Sequence, residues 1–197
     1  ALVRVGQNTV EAIVGAAFIK MAAQAVGFSL IGIFIYIMFR FEMIFAVGAI
    51  AALVHDSVIS IGLFMLAGSV LGLQVSVPVI AALLTIIGYS LNDTIVVFDR
   101  IRENGDKIKK ESMHDIMNKS INETLGRTIL TSVTTFLVVA ILCIFGGSGI
   151  LEFALILAIG IIVGTYSSMF VAAPIVCGGD KLSNQLERDR EEKLARE

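Results

Sequence analysis

Long runs of apolar residues, separated by short polar or charged segments, make up most of the chain. A helix rises about 1.5 Å per residue, so roughly 20 apolar residues cross the hydrocarbon core of a bilayer. The runs extend from Met21 to Phe39, Met43 to Leu66, Val77 to Phe98, Thr128 to Phe145 and Leu151 to Cys177. Open strands would leave backbone groups unpaired in lipid, and the runs lack barrel-type alternation. The pattern therefore predicts an all-α, polytopic membrane helical bundle of five transmembrane helices.

Composition supports a membrane protein and argues against several other classes. Hydrophobic residues make up 56% of the chain and charged residues 16%, with a mean hydropathy of +0.88. The net charge is −2 and there is no basic block, so nucleic acid is not an expected partner. Cys143 and Cys177 lie inside apolar runs, where we expect them to pack as small hydrophobic residues rather than bind metal. We expect no metal and no cofactor.

Lys and Arg residues between the apolar runs indicate the orientation. Arg40 follows the first run. The segment between the third and fourth runs contains, besides Arg127 at its end, six basic residues: Arg100, Arg102, Lys107, Lys109, Lys110 and Lys119. Segments 67–76 and 146–150 contain no Lys or Arg. The positive-inside rule therefore predicts cytoplasmic charged loops and a charged cytoplasmic tail over residues 179–197, although Arg4 and Lys20 mildly oppose this orientation.

The prediction divides the chain into three parts: the end of a periplasmic region (1–20), the transmembrane bundle (21–178) and the tail. The chain lacks an initiator Met and a signal sequence, and five is an odd number of spans for a cytoplasmic C-terminus. We therefore expect a piece of a longer protein, with a further span upstream.

A helical pattern also appears in the long charged loop, at about residues 112–125. Met113, Ile116, Met117, Ile121 and Leu125 recur at steps of three and four residues, which indicates an amphipathic helix. Ser112 and Asp115 are suited to cap its N-terminus. We expect this helix to lie against the membrane surface or the ends of the bundle, and a dedicated partner site is the alternative.

Small residues recur at four-residue steps on two of the predicted spans. On the last span they are Gly160, Gly164, Ser168 and Ala172, and on the second they are Gly48, Ala52, Asp56 and Ser60. Such stripes let helices approach closely in lipid. Asp56 replaces a small residue near the bilayer midplane, beside His55. A buried structural interaction and a place in a proton path are equally compatible with this pattern.

Asp93 is the most informative polar residue, because a carboxylate near the centre of a span costs about 2.5–3.5 kcal/mol to insert and typically marks an ion or proton path. Asp93 and Arg127 each lie about six residues inside a charged boundary, on antiparallel helices, so they should reach similar depths and could pair. Asn92 and Thr131 extend a polar seam that could hold water. A static ion pair that clamps two helices is the alternative.

Several motifs, in order and at matching spacing, resemble the SecF family of protein-export membrane proteins, including the SecF half of fused SecDF chains. They are Arg40-Phe41-Glu42, His55-Asp56, the segment from Gly88 to Asn104, the segment from Asn122 to Thr135, and Gly164-Thr-Tyr-Ser-Ser168. The resemblance covers nearly all of residues 40–178. Val5-Gly-Gln departs from the usual Val-Gly-Pro of the family, which affects only that local turn.

The resemblance implies a fold of the resistance-nodulation-division (RND) superfamily in the bacterial plasma (inner) membrane. It implies that Asp93 and Arg127 are the functional intramembrane acid and base of a proton relay, acting with a carboxylate from SecD. It also implies partners: SecD, the SecYEG channel, often YajC, membrane lipid, and a preprotein drawn outward by the proton gradient.

Other functions are weighed against this one. An intramembrane aspartyl protease needs facing carboxylates in Tyr-Asp and Gly-x-Gly-Asp motifs, whereas this chain has His55-Asp56 and Asn92-Asp93, so no enzyme activity is expected. A passive assembly subunit and an RND-type ion-coupled transporter of another cargo remain alternatives. The coupling ion, H⁺ or Na⁺, is left open.

Overall fold

The computed structural model describes residues 2–107 and 112–179, with side chains from residue 17 onward. Its helices are α1 (Leu2–Arg40), α2 (Met43–Leu71), α3 (Val77–Lys107), α4 (Met113–Phe145) and α5 (Ser148–Ser167). A π-helical turn, Ser168–Ala172, follows α5 directly, and the helical span then continues to Gly179. In this part of the chain the predicted all-helical class and the five membrane-length apolar helices are confirmed. Residues 180–197 of the predicted tail (179–197) and the basic residues Lys109 and Lys110 lie outside the described residues.

The helix ends follow from local chemistry. Ser112 Oγ accepts a hydrogen bond of 3.2 Å from the backbone N–H of Asp115, so the predicted N-terminal cap of α4 is confirmed. Gly72, with φ of 71°, ends α2, and its N–H bonds to the carbonyl of Gly68. A left-handed residue at a helix C-terminus favours glycine because it has no Cβ.

α5 is the central helix of the bundle. It packs against α2, α3 and α4, whereas α1 contacts mainly α2 and is largely exposed. The outward face of α4 carries exposed apolar side chains, among them Leu130, Leu137 and Ile144. Such a surface is costly in water and suited to lipid or to neighbouring membrane helices.

The predicted small-residue stripes form close helix contacts. A Cβ added at Gly160 would overlap the side chain of Ile86 on α3, and one added at Gly164 would lie 3.0 Å from Ser90 Cβ. On α2, a Cβ added at Gly48 would lie 3.1 Å from the carbonyl oxygen of Ala172. The absence of side chains at these positions is therefore what lets α5 approach α2 and α3.

Two apolar clusters and a polar layer between them form the interior. The cluster at one end includes Ile37, Phe45, Phe98, Met117 and Val176. The cluster at the other end includes Phe64, Leu83, Ile86, Val139 and Ile156. Between them, at mid-height on α2 to α5, lie buried polar side chains, which we call the polar layer: Asp56, Ser57, Ser60, Ser90, Asp93, Thr94, Thr128, Ser132, Ser167 and Ser168.

The predicted amphipathic helix differs from the structure in its continuity. Residues 113–125 are the first turns of α4, with no break before the span. Ile116 and Met117 are buried in the first apolar cluster, so this segment packs on the bundle instead of lying along a membrane surface. At 33 residues, α4 is about 50 Å long, and α3 with 31 residues is about 46 Å. Both exceed the roughly 30 Å hydrocarbon core, so residues near their connection project beyond it.

Candidate functional site

Asp56 is fully buried in the polar layer and accepts hydrogen bonds from two other helices. Ser90 Oγ on α3 donates to Asp56 Oδ2 at 2.5 Å, and Ser167 Oγ on α5 donates to the same oxygen at 2.7 Å. The small-residue stripe of α2 turns Asp56 inward and allows this approach. One carboxylate thus joins three helices.

His55 completes the surroundings of Asp56. Its Nδ1 lies 3.0 Å from Asp56 Oδ1, and its side chain is 34% exposed. Neighbours in sequence point about 100° apart on a helix, and the length of the imidazole side chain bridges that angle here. Asp56 therefore faces three potential donors: His55, Ser90 and Ser167.

Asp93 is also buried, with 3% of its surface exposed, but it has far fewer donors. Ser132 Oγ on α4 lies 3.4 Å from Asp93 Oδ2, longer than a strong O–H···O hydrogen bond. Thr165 Oγ1 on α5 in turn lies 2.7 Å from Ser132 Oγ. The two buried aspartates therefore share the polar layer but differ in how fully their oxygens are paired.

The ion pair between Asp93 and Arg127 that the sequence allowed is not present among the described side chains. Arg127 is exposed and lines a cavity of about 510 Å³ between α1, α3 and α4, together with Arg40 and Asp99. It remains close enough to Asp93 for electrostatic attraction. The physical reason is rotation along α4: the interior positions are Thr128 and Ser132, so the preceding residue, Arg127, points outward.

The other two predicted site residues are placed differently from each other. Asn92 is on the exposed face of α3, but its side-chain amide lies close enough to interact with the Asp93 carboxyl group. Thr131 donates its hydroxyl hydrogen bond within α4, at 3.0 Å to the carbonyl of Thr128, and takes no part in the hydrogen bonds of Asp93 or Asp56 in the described residues. Their predicted contribution to the site remains untested.

Sequence reasoning missed the roles of Ser132, Thr165 and Ser167, which contact the two carboxylates directly or through one hydroxyl. A signal for Ser132 was available. Ser120, Thr124, Thr128 and Ser132 recur at four-residue steps, which is the spacing that revealed the stripes on the second and last spans. Each of these four residues is buried.

A π-helical turn follows the contact residues of α5. It covers Ser168–Ala172 and begins directly after Ser167. Turns of this kind are rare and frequently occur at functional sites, because the extra residue per turn shifts which side chains face a neighbouring helix. Here the turn separates the polar layer from the first apolar cluster, where Ala172 and Val176 pack.

Hydroxyl groups in and beside the polar layer are not all paired. Three buried oxygens have no partner among the described residues: Ser60 Oγ, Tyr89 Oη and Thr128 Oγ1. Hydroxyls can both donate and accept, so these groups can bond to water or to a rearranged neighbour.

A charged cluster lies where α3 and α4 project beyond the bilayer, and we call this end of the bundle the charged end. Arg100 Nε donates to Glu123 Oε2 at 2.6 Å, and Asn104 Nδ2 donates to the same oxygen at 2.8 Å. The hydrogen bonds from Asn104 and then Arg100 lower the pKa of Glu123. These contacts join α3 to α4 and keep Arg100 engaged, whereas Arg127 makes no ion pair with a described side chain.

In the described part of the chain, no three His, Cys, Asp or Glu side chains lie close enough together to hold a metal ion. Cys177 is buried in the first apolar cluster, and Cys143 packs against the second. The titratable groups available for chemistry within the polar layer are therefore Asp56 and Asp93, with His55 at its edge.

Comparison with known proteins places this bundle among related chains. A family described as "Protein export membrane protein SecD/SecF, C-terminal" matches residues 2–181. The protein translocase subunit SecF of Koribacter versatilis is 52% identical over 163 residues, 83% of this chain and 39% of its own length. The SecF subunit of Desulfurispirillum indicum is 54% identical over 169 residues, 84% of this chain and 52% of its own. The chain thus spans about half or less of these relatives.

Solved structures give the same picture. A crystal structure of SecDF in a super-membrane-facing form superimposes with a TM-score of 0.75 and 45% identity, covering 82% of this chain and 21% of that chain. SecDF from Thermus thermophilus, described as a translocon-associated membrane protein, gives 0.69 and 47%, covering 75% and 20%.

Proposed function

Because this chain belongs to the SecD/SecF C-terminal family of protein-export membrane proteins, we propose that it couples proton flow to the export of polypeptides. In this proposal Asp93 binds and releases the proton, and Arg127 is the fixed cation that opposes it. The observation that carries the proposal is the contrast between the two buried aspartates of the polar layer.

Asp93 is suited to change its protonation because neither of its states is strongly fixed by neighbours. The donor that reaches it from another helix, Ser132 Oγ, is 3.4 Å away. A buried carboxylate with so little hydrogen bonding loses much of the solvation that its charge requires, so the proton-bound form is within reach. The cavity lined by Arg127 opens near the charged end and reaches Ile95, two residues from Asp93 along α3, which supports proton exchange with that end of the bundle.

Asp56 is suited to a different role. Three donors face its two oxygens, so its hydrogen-bonding needs are met in the arrangement described. We assign His55 and Asp56 to the framework that holds α2, α3 and α5 together, around which Asp93 operates. This assignment chooses between the two roles that the sequence left open for them.

The free energy released by a proton crossing the membrane is comparable with the free energy needed to shift a conformational equilibrium. One elementary charge moving through 100 mV is worth about 2.3 kcal/mol, so a proton crossing roughly 150 mV releases about 3.5 kcal/mol. Moving a two-state equilibrium from 1:99 to 99:1 needs about 5.5 kcal/mol. One proton therefore biases a conformational equilibrium strongly, and a complete switch needs a second proton or substrate binding. Protonation of Asp93 also removes its attraction to Arg127, which frees α3 and α4 to repack.

The same proposal extends to partners and location. We propose a non-enzymatic subunit of the bacterial inner membrane, with its charged end and C-terminus in the cytoplasm. It would act with SecD and often YajC beside the SecYEG channel, and its substrate would be a preprotein moving to the periplasmic side. Family membership and the names of the relatives support this role, together with the acid site in the bundle.

The proposal is tested by Asp93→Asn in the full-length subunit, reconstituted with SecD and SecYEG in vesicles. We expect proton-dependent export to fall at least about tenfold, because the amide keeps the shape of the carboxyl group but cannot bind and release a proton at accessible pH. The assay compares export with and without an imposed pH gradient, and a parallel series imposes a sodium gradient.

Asp106→Asn is the matched control, since Asp106 lies on the same helix thirteen residues on, is exposed, and is not among the residues that line the cavity. Its export rate should stay within about twofold of wild type, as is usual for surface substitutions. If Asp93→Asn exported at the wild-type rate under a pH gradient, the proposed function would be wrong.

A further inference from the structure

We infer that Ser132 and Thr165 form a reversible hydrogen-bond relay that positions Asp93 in both of its protonation states. The inference deepens the proposed function and rests on it, because it assumes that Asp93 exchanges a proton. It assigns roles to two hydroxyl groups on different helices, Ser132 on α4 and Thr165 on α5.

The geometry forms a chain of four groups across three helices. Asp93 Oδ2 lies 3.4 Å from Ser132 Oγ, and Ser132 Oγ lies 2.7 Å from Thr165 Oγ1. Thr165 Oγ1 also lies 2.6 Å from the backbone carbonyl oxygen of Ile161, one turn earlier on α5. The chain therefore runs from a titratable carboxyl group to a carbonyl oxygen that can only accept.

Each hydroxyl carries one proton, so Thr165 cannot donate to Ser132 and to Ile161 at the same time. When Asp93 is ionised, Ser132 donates to the carboxylate and Thr165 donates to Ser132. When Asp93 is protonated, its own O–H donates to Ser132, Ser132 donates to Thr165, and Thr165 donates to Ile161. No proton is gained or lost by either hydroxyl, because each one only rotates.

This reversal matters because all the members are shielded from solvent. Asp93 and Ser132 are 3% and 6% exposed, and Thr165 is partly buried. A buried polar group that loses its partner is destabilised, so an acid with a fixed donor would be well paired in one state only. A pair of hydroxyls can donate or accept, so it offers the carboxyl group the same weak partner in both states.

The relay also connects the acid to the central helix. Thr165 precedes Ser167, the residue of α5 that bonds to Asp56, by two positions, and the π turn starts at Ser168. When the donors and acceptors of the relay are reversed, the hydrogen bonds of Thr165 change. Thr165 lies on α5, the helix whose Ser167 donates to Asp56. Ser132 and Thr165 act through Asp93 and are positioning residues.

The experiment uses the full-length subunit reconstituted with SecD and SecYEG in vesicles, and its variants are Thr165→Val and Ser132→Ala. Thr165→Val preserves shape and removes a hydrogen bond to Ser132 in both states. The loss is larger when Asp93 is protonated, because Ser132 then loses the acceptor for its own proton, whereas ionised Asp93 keeps Ser132 as its donor. The pH midpoint of proton-coupled export should therefore fall. Ser132→Ala removes the donor to ionised Asp93, so the midpoint should rise. Each shift should be about 0.5–1 pH unit, the size expected for one hydrogen bond.

Infrared difference spectroscopy provides a second readout that does not depend on export. The carbonyl stretch of protonated Asp93, identified as the band missing in Asp93→Asn, should move to higher frequency in Ser132→Ala because its hydrogen bond is lost. Ser132→Thr and Thr165→Ser keep the hydroxyls and should keep the wild-type band and midpoint. Thr134→Val is the matched control, since the Thr134 hydroxyl is exposed and bonds only within α4.

Opposite shifts in the two variants support the relay, and midpoints and bands that match those of Thr134→Val overturn it. Shifts of the same sign in both variants also overturn it, since they would indicate general disturbance of the bundle. Failure of the proposed function is distinguishable: Asp93→Asn would then retain coupled export, while the infrared band would still test the contact between Asp93 and Ser132.

Discussion

At the scale of single residues, the two buried aspartates differ in their partners more than in their depth. Asp56 faces three potential donors, whereas a single hydroxyl, 3.4 Å away, reaches Asp93 from another helix. The sequence indicates both as intramembrane carboxylates but does not separate them, because their partners come from other helices. Ser90 lies 34 residues and Ser167 lies 111 residues from Asp56 along the chain.

The framework role of Asp56 predicts a measurable loss of stability when its donors are removed. Ser90→Ala and Ser167→Ala should each lower the free energy of unfolding in mixed detergent micelles by about 1–2 kcal/mol, since each leaves a buried carboxylate short of a charge-assisted hydrogen bond. Ser57→Ala is the control, because the Ser57 hydroxyl bonds only to the carbonyl of Leu53 in its own helix, and it should change stability by less than about 0.5 kcal/mol.

A double-mutant cycle separates this contact from general packing. In an Asp56→Asn background the charge is gone, so Ser90→Ala should cost less than it does in the wild type. We expect a coupling energy of at least about 0.5 kcal/mol between the two positions. A coupling energy of zero would mean that Ser90 stabilises the bundle independently of Asp56.

The sequence predicts those site residues that a pattern within one helix can identify. The cost of a charge in lipid identified Asp93, and four-residue spacing identified the inward face that carries Asp56. The partner of Asp93 could not be identified in this way, because a change of one residue rotates a helical side chain by about 100°. Arg127 and Ser132 lie on different sides of α4, and only packing against α3 and α5 decides which of them meets the acid.

At the scale of helices, the position of α5 depends on two glycines, which leave room for α3 to pack closely. Gly160 and Gly164 lie directly against Ile86 and Ser90 of α3. The contact at Gly164 brings α3 and α5 close where both donate to Asp56, so helix packing and the polar layer are linked. The π turn at Ser168–Ala172 was not predicted, because its residues are ordinary helix formers and apolar residues that carry no local signal.

This packing predicts that Gly160→Ala lowers the free energy of unfolding by about 1–3 kcal/mol, the usual cost of overpacking, because the new methyl group overlaps Ile86. Adding Ile86→Ala should recover part of that loss by making room. Gly62→Ala on α2 is the control, since nothing lies near its added methyl group. Equal effects of Gly160→Ala and Gly62→Ala would contradict the close contact between α3 and α5.

At the scale of the whole molecule, the fold class could be predicted because the bilayer imposes length and polarity on every span. The starts of α2 and α3 match the predicted ones, and the structure extends α3 to Lys107 and α4 back to Met113, past the apolar runs. Hydropathy alone could not foresee these extensions, since they are polar helices held by contacts such as Arg100 with Glu123. These extensions also carry basic residues, so the two ends of the bundle differ in charge.

That difference predicts the orientation of the bundle. The charged end carries Arg40, Arg100 and Arg102, whereas the turns at the opposite end, around Gly72 and Gly147, have no Lys or Arg. Basic residues near span ends are retained in the cytoplasm. In a background where Cys143 and Cys177 are replaced by Ala, His114→Cys should therefore react with a membrane-impermeant maleimide only in inverted vesicles, and Gly149→Cys only in right-side-out vesicles.

Both labelling positions are exposed in the structure, so a lack of reaction reports the membrane barrier instead of burial. Lysing the vesicles should make both cysteines react, which controls for local reactivity. The reverse labelling pattern would place the cavity lined by Arg127 on the outer side of the membrane. The cavity would then serve proton entry from the outer side, and proton exchange between Asp93 and the cytoplasm through this cavity would have to be abandoned, although the relay between Asp93, Ser132 and Thr165 would remain testable.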